Sequence, residues 1–172
     1  MFQAAVGNRT QVFTATEYTN GDTPRLGDLE YDPDYKTFFR YLKNSGATSI
    51  AAQLVAMSLT TGKSAYTVTL AATTDALIPF AGVRVPGATT VAQNEQGWFQ
   101  VGGQATFSHG GGQATAAEEG IVSSATTAGT VEGGAPTVAT VASQAGVFAI
   151  AEAAVSTAVD CKGSIIRCVF GA

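Results

Sequence analysis

The punctuation of this chain constrains its fold more than any other feature. From residue 35 onward, short runs rich in β-branched and aromatic residues alternate with clusters of Gly, Pro, Asn and Ser, and no stretch sustains a 3.6-residue apolar stripe. Such spacing favours many short strands closed by turns, as in a sandwich or barrel. The runs are 65–71 (AYTVTLA), 76–85, 97–101 (GWFQV), 120–123, 137–141, 146–150 and 164–170. In the last, Ile166, Cys168 and Phe170 would share one face of a closing strand, with Ile165, Arg167 and Val169 on the other. Residues 35–42 (YKTFFRYL) fit a helix or a strand; the aromatic content and the turn signal Asn44-Ser45-Gly46 favour the strand. Two Ala-rich stretches, 114–119 and 149–158, are broken by Thr, Val or Ser, so short helices at most are expected. The repeated GGQAT at 102–106 and 111–115 reads as a Gly-flanked hairpin or flexible loop around His109.

The expected architecture is therefore all-β: a compact β-sandwich or β-barrel over 35–172 with Gly-rich loops, preceded by an extended N-terminal arm or edge segment over 1–34. That first segment is polar and interrupted by Asn20-Gly21-Asp22 and Pro24, too poor in apolar periodicity to build a core. It is expected to gain order from a partner by strand addition, with Phe2, Val6, Val12 and Phe13 as anchors.

Charge narrows the function. Only 13% of the 172 residues are charged, about half the usual share, while Ala and Val dominate a 45% hydrophobic content. A surface so neutral suits a protein that lives in an assembly. The net charge is −4, and no Lys or Arg lies between Arg84 and Lys162, where Glu95, Glu118, Glu119, Glu132, Glu152 and Asp160 fall. No nucleic acid partner is expected. No apolar run reaches the roughly 20 residues that cross a bilayer, and residues 1–9 lack the layout of a signal peptide, so no membrane association and synthesis in a cytoplasm are expected.

Each constellation that suggests chemistry lacks a member. Thr61-Gly62-Lys63-Ser64 resembles the end of a phosphate-binding loop, but Met57 stands where the first glycine is required, and a strand pattern follows instead of a helix. A hairpin turn is the better reading. Ser108-His109 with Glu118 or Glu119 suggests a hydrolase, yet Gly110-Gly111-Gly112 gives His109 no rigid support, and a solvated loop histidine is expected. Cys161 and Cys168 have no partners at zinc-ligand spacing and read as buried thiols. Asp28, Glu30, Asp32 and Asp34 alternate on one side of an extended segment, a pattern without the glycine and distal glutamate of a calcium loop; a solvated or interface acidic edge is favoured. Asn8-Arg9-Thr10 is a glycosylation sequon without meaning unless the protein is secreted. Trp98, the sole tryptophan, reads as a core or subunit-interface anchor together with Phe99. No catalytic residue, metal or cofactor is expected.

The order of several segments resembles the cement, or decoration, proteins of tailed-bacteriophage capsids. These are FFRYLKNSGATSIAAQLVAMS, then IPFAGVRVPGATTVAQNEQGWFQVGGQATF, EEGIVSSATTAGTVE, FAIAEAA and a terminal GSIIRCVF. They match that family's succession of a Gly-Val strand, a Gly-Trp-x-Gln-x-x-Gly strand, a small-residue turn, an Ala-x-Ala-Glu segment and a last apolar strand. The resemblance implies an all-β homotrimer on the outer capsid surface of a virion that clamps neighbouring major capsid protein subunits. The alternative is a receptor- or glycan-binding head fibre or tail module.

With the phosphate loop incomplete, ATP titrated into the protein is expected to bind at no micromolar site. Calorimetry checks this, and binding abolished by Lys63→Ala would reverse it.

Overall fold

The computed structural model describes residues 24–59, 66–73, 79–110, 113–134, 146–156, 159–166 and 168, and the backbone of 12–13. The described residues contain no helix and form eleven strands: β1 (Val12–Phe13), β2 (Leu29–Asp32), β3 (Thr37–Asn44), β4 (Val55–Ser58), β5 (Thr67–Leu70), β6 (Phe80–Arg84), β7 (Gln96–Phe107), β8 (Gly120–Ser123), β9 (Val131–Gly134), β10 (Ala149–Ala151) and β11 (Cys161–Ile165).

Five of them close on themselves. β3 pairs in parallel with β5, β5 with β4, β4 with β6, β6 with β7, and β7 returns antiparallel to β3. Each strand sends one buried residue into a common core: Leu42, Ala56, Val68, Ala81 and Phe99, closed over by Ile50 and Val91. A barrel of so few strands is narrower than the eight-stranded kind whose interior side chains just fill. One large ring therefore needs small partners, which is what Ala56 and Ala81 supply. Asn44 stitches one end of β3: its amide donates to Thr48 O and Val91 O, both at 3.0 Å, and its Oδ1 accepts the Gly46 N–H at 3.0 Å.

The outward residues of the same strands build two further cores. On one side Val55, Phe80 and Val83 meet Ala105, Phe107, Ile121, Val131, Phe148, Ala149, Ala151 and Cys161, and Phe80 stacks on Phe148 with centroids 4.3 Å apart. These partners come from a second, antiparallel sheet in the order β7-β11-β10-β8-β9. On the other side Phe39, Tyr41 and Trp98 pack together under Leu26 and Val85.

β7 serves both sheets. Its first half pairs with β3 and β6; its second half pairs with β11, from Gly103↔Ile165 to Phe107↔Cys161. The strand changes direction where Val101 bulges out of register with β3 and Gly103 takes a φ of +81°. A Cβ at Gly103 would also lie 2.5 Å from Lys36 O, so no other residue fits.

The all-β architecture expected from the punctuation is what the chain adopts. Two local expectations are corrected. The first GGQAT lies within the second half of the longest strand, not in a loop, because its glycines bend β7 without ending it. The closing strand runs over Cys161–Ile165, earlier than expected; Ile166 is exposed, Cys168 lies outside the strand, and Phe170 lies outside the described residues. Lys162 and Gly163 score poorly as strand formers, but pairing with Thr106 and Ala105 of β7 overrides that preference. The stretch 149–158 supplies β10 at its start, and the described part of it holds no helix. The strand expected over 137–141 and the turn at Thr61–Ser64 lie outside the described residues.

Gly87 and Gly103 separate conformational strain from collision, since Gly87 also has a left-handed φ (+71°) but nothing within 4 Å of the point where a Cβ would stand. Gly87→Ala is expected to cost about 1 kcal/mol, the lower end for a strained non-glycine residue, and Gly103→Ala distinctly more; urea denaturation of both variants checks the order.

Candidate interaction surface

The sequence Asp32-Pro33-Asp34-Tyr35-Lys36 turns β2 back onto β3. Asp32 is buried, and its Oδ1 accepts the N–H groups of Asp34 at 3.0 Å and Tyr35 at 3.3 Å, while Lys36 supplies the left-handed residue with φ of 52°. The antiparallel register Leu29↔Arg40, Tyr31↔Phe38 sets Leu29, Tyr31 and Phe38 on one face, with the Tyr31 and Phe38 rings 4.7 Å apart. The opposite face carries Phe39 and, further along β3, Tyr41 into the Trp98 cluster.

The first face is open. Leu29 is 53% exposed, Tyr31 48%, Phe38 42% and Tyr35, at the tip, 71%. Four of the six large exposed hydrophobics among the described residues thus sit on one hairpin; the other two, Val159 and Ile166, lie near β11. A contiguous apolar patch of this kind is characteristic of a binding surface. Arg40 fastens its root, donating from Nη1 to Gly27 O at 2.9 Å and lying over the Tyr66 ring at 5.6 Å.

The four alternating acids do not form a cation site. Asp28 Oδ2 accepts the Arg25 N–H at 2.8 Å, Asp32 holds the turn, Asp34 is exposed and Glu30 half-buried; among the described residues no group of His, Cys, Asp or Glu could hold a metal.

The other residues singled out in the sequence scatter. Trp98 and Phe99 are both buried within the subunit, on opposite faces of β7: Phe99 fills the barrel, and Trp98 meets the edge of Tyr41 at 5.3 Å. Val12 and Phe13, expected as anchors on a partner, pair their backbone with Gly97 and Gln96 of this chain. Phe2 and Val6 lie outside the described residues. His109 is a correction: it is buried, with Nδ1 2.6 Å from Gly110 O and Nε2 3.1 Å from Thr115 Oγ1, and its backbone bridges to Val131. The strand that precedes it and the β9 neighbour hold it, so the adjoining glycines do not leave it in solvent. Cys161 is buried and Cys168 half-buried, Sγ 3.3 Å from Ala81 O; burial pushes the Cys161 thiol up, with Glu152 adding to the shift.

Each fixed position of the Gly-Trp-x-Gln-x-x-Gly pattern has a structural task. A Cβ at Gly97 would come within 3.1 Å of Arg84 Nη1 and of Val91. Trp98 packs on Tyr41. Gln100 is buried and donates from Nε2 to Gln104 O at 2.5 Å and Gly102 O at 3.3 Å, spanning the bend that Gly103 makes possible. Arg84 is a buried structural cation that no sequence motif marks. It is fully buried, bonded to Trp98 O at 2.5 Å and to Thr89 O at 3.0 and 3.1 Å, and burial lowers its pKa to about 10. It therefore stays protonated at neutral pH.

No family model matches the sequence. No curated protein matches it either. Among solved structures, the fold is similar to the N-terminal base of the head fibre gp8.5 of bacteriophage phi29, with a TM-score of 0.48 and 13% identity over 77% of this chain and 96% of that one.

Because Trp98 is the centre of a small aromatic cluster, Trp98→Ala is expected to destabilise the protein by about 3–5 kcal/mol, and native emission to be blue-shifted relative to free tryptophan. Denaturation followed by circular dichroism, with fluorescence of the unsubstituted protein, measures both.

Proposed function

We propose that this chain is a non-enzymatic structural protein of a tailed-phage virion, which binds the outside of an assembled capsid and stabilises it by clamping neighbouring major capsid protein subunits. The observation that carries the binding role is the exposed Leu29, Tyr31, Tyr35 and Phe38 hairpin, which holds four of the six large exposed hydrophobics among the described residues. The ordered run of segments resembling capsid cement proteins supplies the capsid as partner. The low charge content suits a protein held in an assembly.

Clamping needs no chemistry. Each subunit contributes a modest interface, and in a homotrimer a second and third contact form at high effective concentration once the first is made. Avidity then opposes the separation of capsid subunits. Phe2 and Val6 are proposed to add contacts from the N-terminal segment.

Cryo-electron microscopy of the source particle tests this. The expected map shows three copies of this body grouped on the outer shell, each touching two or more capsid subunits. Density for the chain confined to the tail, or inside the shell, overturns the proposal.

A further inference from the structure

The sheet path has two ends, and they are treated differently. The β9 end is covered: Gly110 donates to Val131 O at 2.8 Å, Val131 donates to Ser108 O at 2.9 Å, and Gly133 donates to Gln113 O at 3.3 Å. The β2 end has no such cover among the described residues, where β2 pairs with β3 alone. The Tyr41 N–H donates to Asp28 O at 3.0 Å, so the Asp28 carbonyl faces β3. Alternation along an antiparallel ladder then turns the N–H and C=O groups of Leu29 and Tyr31 away from β3. Open edges of this kind are normally blunted with Lys, Pro or a covering loop. Here the edge carries Leu and Tyr, both about half exposed, beside Phe38.

We propose that the β2 edge accepts an extended segment of the shell protein as an added strand, one whose residues alternate apolar and basic. The identity of the partner rests on the function proposed above; the surface and the chemistry come from the hairpin. The apolar residues of the added strand continue the Leu29, Tyr31, Phe38 face, and its backbone takes up the outward groups of Leu29 and Tyr31. Its basic residues answer the exposed carboxylates of Asp28 and Asp34 at the two ends of β2. A second copy of this chain is the poorer occupant, since β2 against β2 sets the same acids against one another.

The test uses the full chain and purified shells lacking it. Leu29→Lys with Tyr31→Lys is compared with Val159→Lys with Ile166→Lys, a similarly exposed pair that flanks β11. The β2 pair is expected to weaken binding about tenfold or more, as loss of central interface anchors does, and the control pair to leave it unchanged. Thermal denaturation shows that each variant is folded. In a parallel arm that needs no folding comparison, a benzophenone amino acid replaces Tyr31, and its crosslink is expected in a shell segment alternating apolar with Lys or Arg. Binding by the chain with undiminished affinity after the β2 substitutions, or a crosslink to a second copy, overturns this inference and leaves the capsid role standing. Failure of the unsubstituted chain to bind shells overturns both.

Discussion

The structure depends on β7 being held along both edges while it belongs to two sheets. Its first half is the seam of the barrel, fixed between β3 and β6, and its second half founds the sheet that covers the barrel's outer face. A strand cannot do both without turning, and a turn in a strand exposes carbonyls that a ladder would have used. Gly103 permits the turn, and Gln100 takes up two of the carbonyls beside it. The rest follows from that corner: Trp98 and Phe99, adjacent in sequence, enter two different cores because the strand before the bend is buried on both faces.

The same economy explains why so much of the chain is Ala, Val and Gly. The barrel interior admits one aromatic ring, Phe99, and its neighbours must be small. Arg84 lies beside that ring, 5.9 Å from its centroid, where an apolar side chain would be the ordinary choice. A buried guanidinium persists only when its donors are matched, and the carbonyls of Thr89 and Trp98 match them. The cation thereby ties the loop after β6 to β7, at the cost of the desolvation that lowers its pKa. Gly97 is what leaves room for it.

Strand punctuation makes the fold class legible, and residue alternation makes the 120–123 strand legible to its ends, because both follow from local backbone preference. Pairing between distant segments is not legible. Lys162-Gly163 becomes strand, and the glycines of the first GGQAT bend a strand instead of ending it, since each is decided by the neighbour across the ladder. His109 misleads for the same reason: flanking glycines suggest exposure, whereas Thr115 and Val131, brought in by other elements, bury it. The hairpin patch is half legible. Tyr35, Phe38 and the acids stand out in the sequence, but alternation along 35–42 does not say which aromatic face is covered; the Leu26 segment, lying over Tyr41 and Trp98, decides that.

That decision also shapes how the exposed face can act. β3 is paired with β2 on one edge and with β7 on the other over the same residues, 38–40, so the hairpin is a continuation of the barrel wall and not a loop attached to it. Phe38 and Leu42 lie on one face of one strand, the first exposed and the second sealed in the barrel. A surface held in this way loses little conformational freedom when a partner arrives, and association is spared the ordering cost that flexible segments incur. Substituting the exposed residues removes contacts to a partner while leaving Leu42, Phe99 and the aromatic cluster packed, so stability and binding reside in separable sets of side chains on the same strand.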